Sequence, residues 1–194
     1  STFKTGRILN EGGKITIIGE SNVGKSSLLN SVLLEDRVIV TDVPGTTRDS
    51  VEVSYTIDNI PVRFFDTAGI RETSDFIESS GIRKSKENAK SSDLVLWVFD
   101  ISASELKDII KIIKKPFFSC DFIVVLNKAD LVNKSELDKF HDGLSGIANV
   151  ITSAKSGRGV EILLKEIKAS LINNDLLSDD SVIMTNPRHK RAIL

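Results

Sequence analysis

The chain has 194 residues, 40% hydrophobic and 27% charged, the composition of an ordinary soluble globular protein with enough length for one domain and a full core. Its 26 basic and 27 acidic side chains leave a formal charge of −1, which argues neither for nor against a nucleic-acid partner. No apolar run approaches the roughly 18 residues of a membrane span, and the single cysteine, Cys120, excludes an internal disulfide and fits a reducing cytoplasm.

Residues 1–11 carry no readable pattern, and the start, Ser1-Thr2-Phe3-Lys4-Thr5, has neither the apolar stretch of a signal peptide nor an initiator Met. The chain is therefore expected to be an excised piece of a longer protein. Lys14 to Ile18 reads as a short strand that runs into a glycine loop, and Ser26 to Leu34 as a helix with apolar Leu28, Leu29, Val32 and Leu33. Val51, Val53, Tyr55 and Ile57 alternate as in a half-buried strand. Asp58-Asn59 then makes a turn, and Pro61 to Phe65 returns as the second arm of an antiparallel hairpin. Leu94 to Phe99 and Phe122 to Leu126 are nearly continuous apolar runs, as buried parallel strands should be, and Val150-Ile151 is a shorter one. Ser104 to Lys114, Ser135 to His141 and Val160 to Leu171 read as helices; in the last, Val160, Leu163, Leu164, Ile167 and Leu171 form one stripe. Residues 173–185 are polar and irregular, after which Asn186-Pro187 looks like the start of another helix. The alternation predicts an α/β three-layer sandwich: a mostly parallel six-stranded sheet with one antiparallel strand, helices on both faces, and ligands at the strand ends.

Gly19-Glu20-Ser21-Asn22-Val23-Gly24-Lys25-Ser26 fits G-x-x-x-x-G-K-[ST] between a strand and a helix, the context that a phosphate-binding loop requires. Glycines let backbone N–H groups approach phosphate oxygens, and the following helix adds its positive end. The segment Asn22, Val23, Gly24, Lys25, Ser26 and Ser27 is assigned to a nucleotide's phosphates, with Lys25 on the β and γ phosphates and Ser26 on Mg²⁺. Asp66-Thr67-Ala68-Gly69 ends a strand one hairpin later; Asp66 would hold a magnesium-bound water, and the Gly69 N–H would meet the γ-phosphate.

Asn127-Lys128-Ala129-Asp130 follows a buried strand. A carboxylate at Asp130 can accept from guanine N1 and its exocyclic amine, a donor pair that adenine lacks, and a site built for such a bond rejects the wrong base by about 10⁴ to 10⁵. Asn127 would brace the loop, the Lys128 stem would cover the base face, and Ser153-Ala154-Lys155 would bring a backbone N–H to guanine O6. Together the motifs select GTP over ATP.

In order and spelling, GESNVGKSSLLN, TDVPGTTRD, DTAGIRETSDFIESSGI, NKADL and SAK resemble the G domain of the MnmE (TrmE) tRNA-modification GTPases, over roughly residues 5–172. The resemblance implies a P-loop GTPase fold in residues 12–173, with 1–11 arriving from a helical domain and 174–194 returning to it. It implies K⁺ held by Asn22 and Thr46 with backbone help from Thr41 and Val43, and Mg²⁺ held by Ser26 and Thr47 and, through water, Asp66. Catalysis would rest on Lys25, Gly69 and Glu78, the last orienting the attacking water through a bridging water. GTP contacts would include Thr41, Thr46 and Thr47. Arg71 and Glu72 would lie in the segment that switches with nucleotide state. Implied partners are a second G domain, an FAD-dependent MnmG-like protein and tRNA reached through the full-length protein, all in the cytoplasm.

The bare residues support part of this. Ras-like GTPases place Gln directly after D-x-x-G; here Ile70 stands there and cannot hydrogen-bond water, so another group must position the nucleophile. The loop from Thr41 to Asp49 has the hydroxyls and carbonyls that hard cations prefer. Glu78 read alone could be a solvated helix residue, and Arg48 and Arg71 read better as structural or switch residues than as arginine fingers. The chain departs from the family's usual spelling at Ser21 and Pro187, where proline and a small helix former are common. His141 and His189 are too isolated for a metal pair, Trp97 and Phe99 belong to the core, and Arg188-His189-Lys190-Arg191 reads as a solvated helix face before a tRNA contact. Two alternatives stay open: a ribosome-assembly GTPase of the Era or Der kind, which binds RNA, and a non-catalytic GTP sensor, which would have no need of Glu78.

Overall fold

Strand β5 (Leu94–Asp100) shows how the sheet is built. Leu94, Leu96 and Val98 enter the core on one face, while Val95, Trp97 and Phe99 enter the core on the other, so the strand is buried on both sides. The computed structural model describes residues 2–35, 38–41, 53–65 and 87–172. Within them, β5 is joined by β1 (Gly13–Ile18), β2 (Val38–Thr41), β3 (Val53–Ile57), β4 (Ile60–Phe65), β6 (Asp121–Asn127) and β7 (Asn149–Ile151). The strand order is β2-β3-β4-β1-β5-β6-β7. Strand β3 runs antiparallel to both its neighbours, and every other pairing apart from those two is parallel.

All six strands read from the sequence are present, with β2 added at the edge to make seven. β2 is too short to display an alternation, and its place comes from pairing with β3, Val38 opposite Ile57 through Thr41 opposite Ser54. The β3–β4 hairpin closes at the Ile57–Ile60 pair. Its two turn residues, Asp58 and Asn59, both take positive φ, 47° and 69°, the left-handed pair whose twist matches two antiparallel strands.

Helices α1 (Thr2–Glu11), α2 (Lys25–Leu33) and α5 (Val160–Ile172) share one face of the sheet; α3 (Leu106–Ile113) and α4 (Lys134–Gly143) cover the other. The α5 stripe is fully buried at Val160, Leu163, Leu164, Ile167 and Leu171, each contributing about 1.5–3 kcal/mol relative to exposure. Helix α4 begins at Lys134 because Asn133 caps it: the Glu136 amide donates to Asn133 Oδ1 (3.0 Å), and the Asn133 amide donates back to the Glu136 carboxylate (3.3 Å). On that face Trp97 packs edge-on against Phe118 and Phe122 at 5.3 and 6.0 Å between ring centres. Cys120 is half-buried beside them, with its thiol 3.6 Å from the Ala89 carbonyl.

Residues 1–11, unpatterned in the sequence, supply α1. Ile8 is completely buried while Leu9 is half exposed, and Arg7 pairs with the carboxylate of Asp93. That carboxylate, itself nearly buried, also accepts from the Lys14 amide at 2.9 Å, so one side chain ties α1 to the start of β1 and the approach to β5. No described helix is long and apolar enough to cross a membrane.

The hairpin turn gives a clean test. Asn59→Val places a β-branched residue at φ 69° on an exposed corner and should cost about 1–2 kcal/mol, read as a lower denaturant midpoint at unchanged slope. An unchanged midpoint would mean that the turn tolerates another backbone conformation.

Candidate GTP site

Strand β1 ends at Ile18 and helix α2 begins at Lys25, so the glycine loop spans a sharp reversal at the C-terminal edge of the sheet. Two of its glycines are dictated by close approach. A Cβ on Gly19 would run into the Val98 carbonyl of β5, and one on Gly24 into the side-chain amide of Asn127. Gly24 also has φ 93° and gives α2 no side-chain cap, and the positive N-terminal end of the helix lies at this loop. Asn22 is exposed and left-handed at φ 63°, a conformation that asparagine tolerates better than most side chains. Val23 between them turns inward to the core. The Lys25 ammonium lies over the loop, donating to the carbonyls of Gly19 (3.0 Å) and Glu20 (2.6 Å).

The second half of the site hangs on Asn127, the last residue of β6, which is 1% exposed. Its Nδ2 donates to the Val23 carbonyl of the glycine loop at 2.8 Å. Its Oδ1 accepts from the Thr152 hydroxyl (3.2 Å) and the Ala154 amide (3.1 Å). A second link runs from the Ser31 hydroxyl of α2 to the Ala154 carbonyl at 2.6 Å. Asn127 therefore bridges the glycine loop and the segment after β7, and Ala154 is the member of the Ser153–Lys155 triplet that it holds. The Ala154 amide itself is engaged by Asn127.

Lys128 follows in the left-handed region, φ 67°, and its ammonium pairs with Asp100 Oδ2 at 2.6 Å. Burial works against a charged Asp100, but hydrogen bonds from Lys128 and from the hydroxyl and amide of Ser102 outweigh it and hold the carboxyl below its ordinary value. Asp130 Oδ1 accepts from the Ser153 hydroxyl at 2.6 Å, and this bond above all lowers the Asp130 carboxyl. The sequence reading missed Asp100 and Thr152. An acid directly after a buried strand with a serine two residues on was the available signal for the first; for the second there was none.

Thr41 is described only as the end of β2, and Ser26 and Ser27 lie in the first turn of α2. Val43, Thr46, Thr47, Arg48, Asp66, Gly69, Ile70, Arg71, Glu72, Glu78 and the 188–191 cluster lie outside the described residues. Among the described residues no His, Cys, Asp or Glu grouping could hold a metal ion.

Residues 14–128 match the family described as 50S ribosome-binding GTPase. The chain belongs to this GTPase family. It binds and hydrolyses GTP. Two curated relatives, both named tRNA modification GTPase MnmE, are similar over 99% of the chain: that of Clostridioides difficile strain 630 at 42% identity and that of Aquifex aeolicus strain VF5 at 43%. The chain spans 42% and 41% of their lengths. Among solved structures, Era in complex with MgGDPNP and a segment of 16S ribosomal RNA superposes with TM-score 0.53 and 31% identity, over 80% of this chain and 55% of that one.

The Asp130–Ser153 bond makes acid sensitivity testable. A carboxyl held low keeps its charge, and with it the acceptor expected for guanine, until the pH falls through that lowered value. Ser153→Ala should raise the Asp130 titration toward the ordinary range, and GDP binding should fail at a higher pH than in the parent. Carboxyl NMR and GDP affinity between about pH 3 and pH 6 check this; coincident titrations would assign the low value to another cause.

Proposed function

We propose that the chain is the GTP-hydrolysing segment of a cytoplasmic protein that modifies the wobble uridine of tRNA with a carboxymethylaminomethyl group. The similarity to the MnmE relatives across nearly the whole chain carries this reading. Residues 12–173 would be the hydrolytic unit, and 1–11 and 174–194 the passages from and back to a helical domain. An Era-like role in ribosome assembly is the second reading, favoured by the family's description and by the likeness to Era.

The reaction is attack of water on the γ-phosphate of GTP. Lys25 and the first amides of α2 hold and neutralise the β and γ phosphates, and the Gly69 N–H adds a bond to the γ-phosphate. The hydroxyl of Ser26, at the start of α2, is a hard oxygen suited to Mg²⁺, and Thr47 and, through water, Asp66 would join it in holding the ion. Asn22, Thr46 and the carbonyls of Thr41 and Val43 would hold K⁺. When bound, the two cations supply positive charge at the oxygens where negative charge grows, work that an arginine finger does elsewhere for about 10³ to 10⁵ in rate. The left-handed turn at Asn22 keeps its side chain at the exposed surface of the loop, which suits a shared cation site. Ile70 cannot orient water, and the family resemblance assigns that role to Glu78 through a bridging water. Facing G domains of two copies would complete the site, and an FAD-dependent MnmG-like partner would receive the signal.

A graft tests the biological role. Placed in the C. difficile MnmE in exchange for its matching segment, the chain should restore the modified uridine in cells lacking that protein. An inactive graft with normal GTP turnover would favour the ribosomal reading. Turnover should rise at least tenfold when Na⁺ is exchanged for K⁺ and should parallel dimer formation with GDP and aluminium fluoride; equal rates in the two salts would remove the K⁺ assignment. In the same assay Glu78→Ala should lose turnover and keep GTP binding, and surviving turnover would point to a different water-positioning group.

A further inference from the structure

We propose that Asp100 is a positioning residue for guanine nucleotides, anchoring the tip of Lys128 so that the lysine stem is laid out across the face of the base before the base arrives. None of the sequence motifs includes Asp100. The sheet register sets Asp100 of β5 directly beside Asn127 of β6, and the Ile101 amide donates to the Asn127 carbonyl at 3.1 Å. The carboxylate therefore stands at the same strand-end edge as the base loop. Three hydrogen bonds fix it: Oδ1 accepts from the Ser102 amide (3.0 Å) and hydroxyl (2.6 Å), and Oδ2 from the Lys128 ammonium (2.6 Å). Asp100 is the more buried of the two side chains, 14% exposed against 30% for Lys128, so the acid is the fixed post and the lysine the strap.

Lys128 is held at both ends. Its backbone is locked at φ 67° and its ammonium at Asp100. A lysine free at its tip loses rotamer freedom when it lies down on a ligand; one already tethered has lost that freedom during folding. The carboxylate also competes with the ligand's own phosphates for the ammonium and keeps it from folding toward them. The lowered Asp100 carboxyl is consistent with a permanently charged anchor. A stem over a base reads a flat face and not its edge, so Asp100 governs how tightly the nucleotide is held, and Asp130 which base is taken.

This inference rests on the base loop reading guanine, which Asp130→Asn tests separately by shifting preference from GTP to xanthosine triphosphate. In the full chain, Asp100→Asn should weaken GDP and GTP by the same factor, about 5- to 30-fold. The loss should appear in the dissociation rate of a fluorescent GDP, with KM raised and kcat at saturating GTP kept. On a Lys128→Met background, which retains the stem without the ammonium, Asp100→Asn should add nothing. Multiplying losses, unchanged affinity, or a much larger loss for GTP than for GDP would each overturn the anchor. Ser102→Ala, which removes one bond to the same carboxylate at an exposed position, should shift dissociation in the same direction by a smaller factor. It supplies the test if Asp100→Asn fails to fold, and an unchanged rate there would overturn the proposal.

Discussion

One buried amide holds the candidate nucleotide site together. Asn127 donates to the glycine loop at Val23 and accepts from Thr152 and Ala154, so a single side chain at the end of β6 joins three segments far apart in the chain. A side-chain amide suits this place because it is donor and acceptor at once and carries no charge to desolvate. Losing it would remove the partner of a carbonyl, a hydroxyl and an amide, each costing about 1–3 kcal/mol. The close fit of Gly24 against the same amide is the other side of this constraint: the glycine is required as much by Asn127 as by any phosphate.

Charge is arranged around that neutral bracket. Lys25 rests on carbonyl dipoles, Lys128 on a fixed carboxylate, and Asp130 on a hydroxyl. Each ionised group thus has a local partner that sets its direction without cancelling its role toward a ligand. Such groups need little reorganisation when a nucleotide binds, which is how a polar site gains affinity without gaining contacts.

What was legible in the sequence follows from which signals are local. The glycine loop, the Asp58-Asn59 hairpin and the doubly buried β5 and β6 are written in adjacent residues, and the structure has them where the patterns put them. Helix α1 was unreadable because Ile8 alone is fully buried in its described side chains, and one apolar residue has no period. Strand β2 exists by virtue of the edge it pairs with. The Asp100–Lys128 pair was hidden for a third reason: it joins two strand ends brought together only by register. Most residues assigned by family likeness alone, Val43, Thr46, Thr47 and Glu78 among them, fall outside the described residues, while Thr41 ends β2.

The strand order has a metric consequence. The phosphate loop leaves the end of β1, and the base loop leaves the end of β6, with β5 alone between them. Two inter-strand spacings separate them, about 10 Å. That interval belongs to the backbone ladder and cannot be tuned by side chains, so the sheet acts as a gauge of molecular length: it accepts what carries a flat ring and a phosphate chain one such span apart. Changes in the loops can alter which ring is read or how fast a phosphate leaves, while the distance between the two readings stays set by hydrogen-bonded strands.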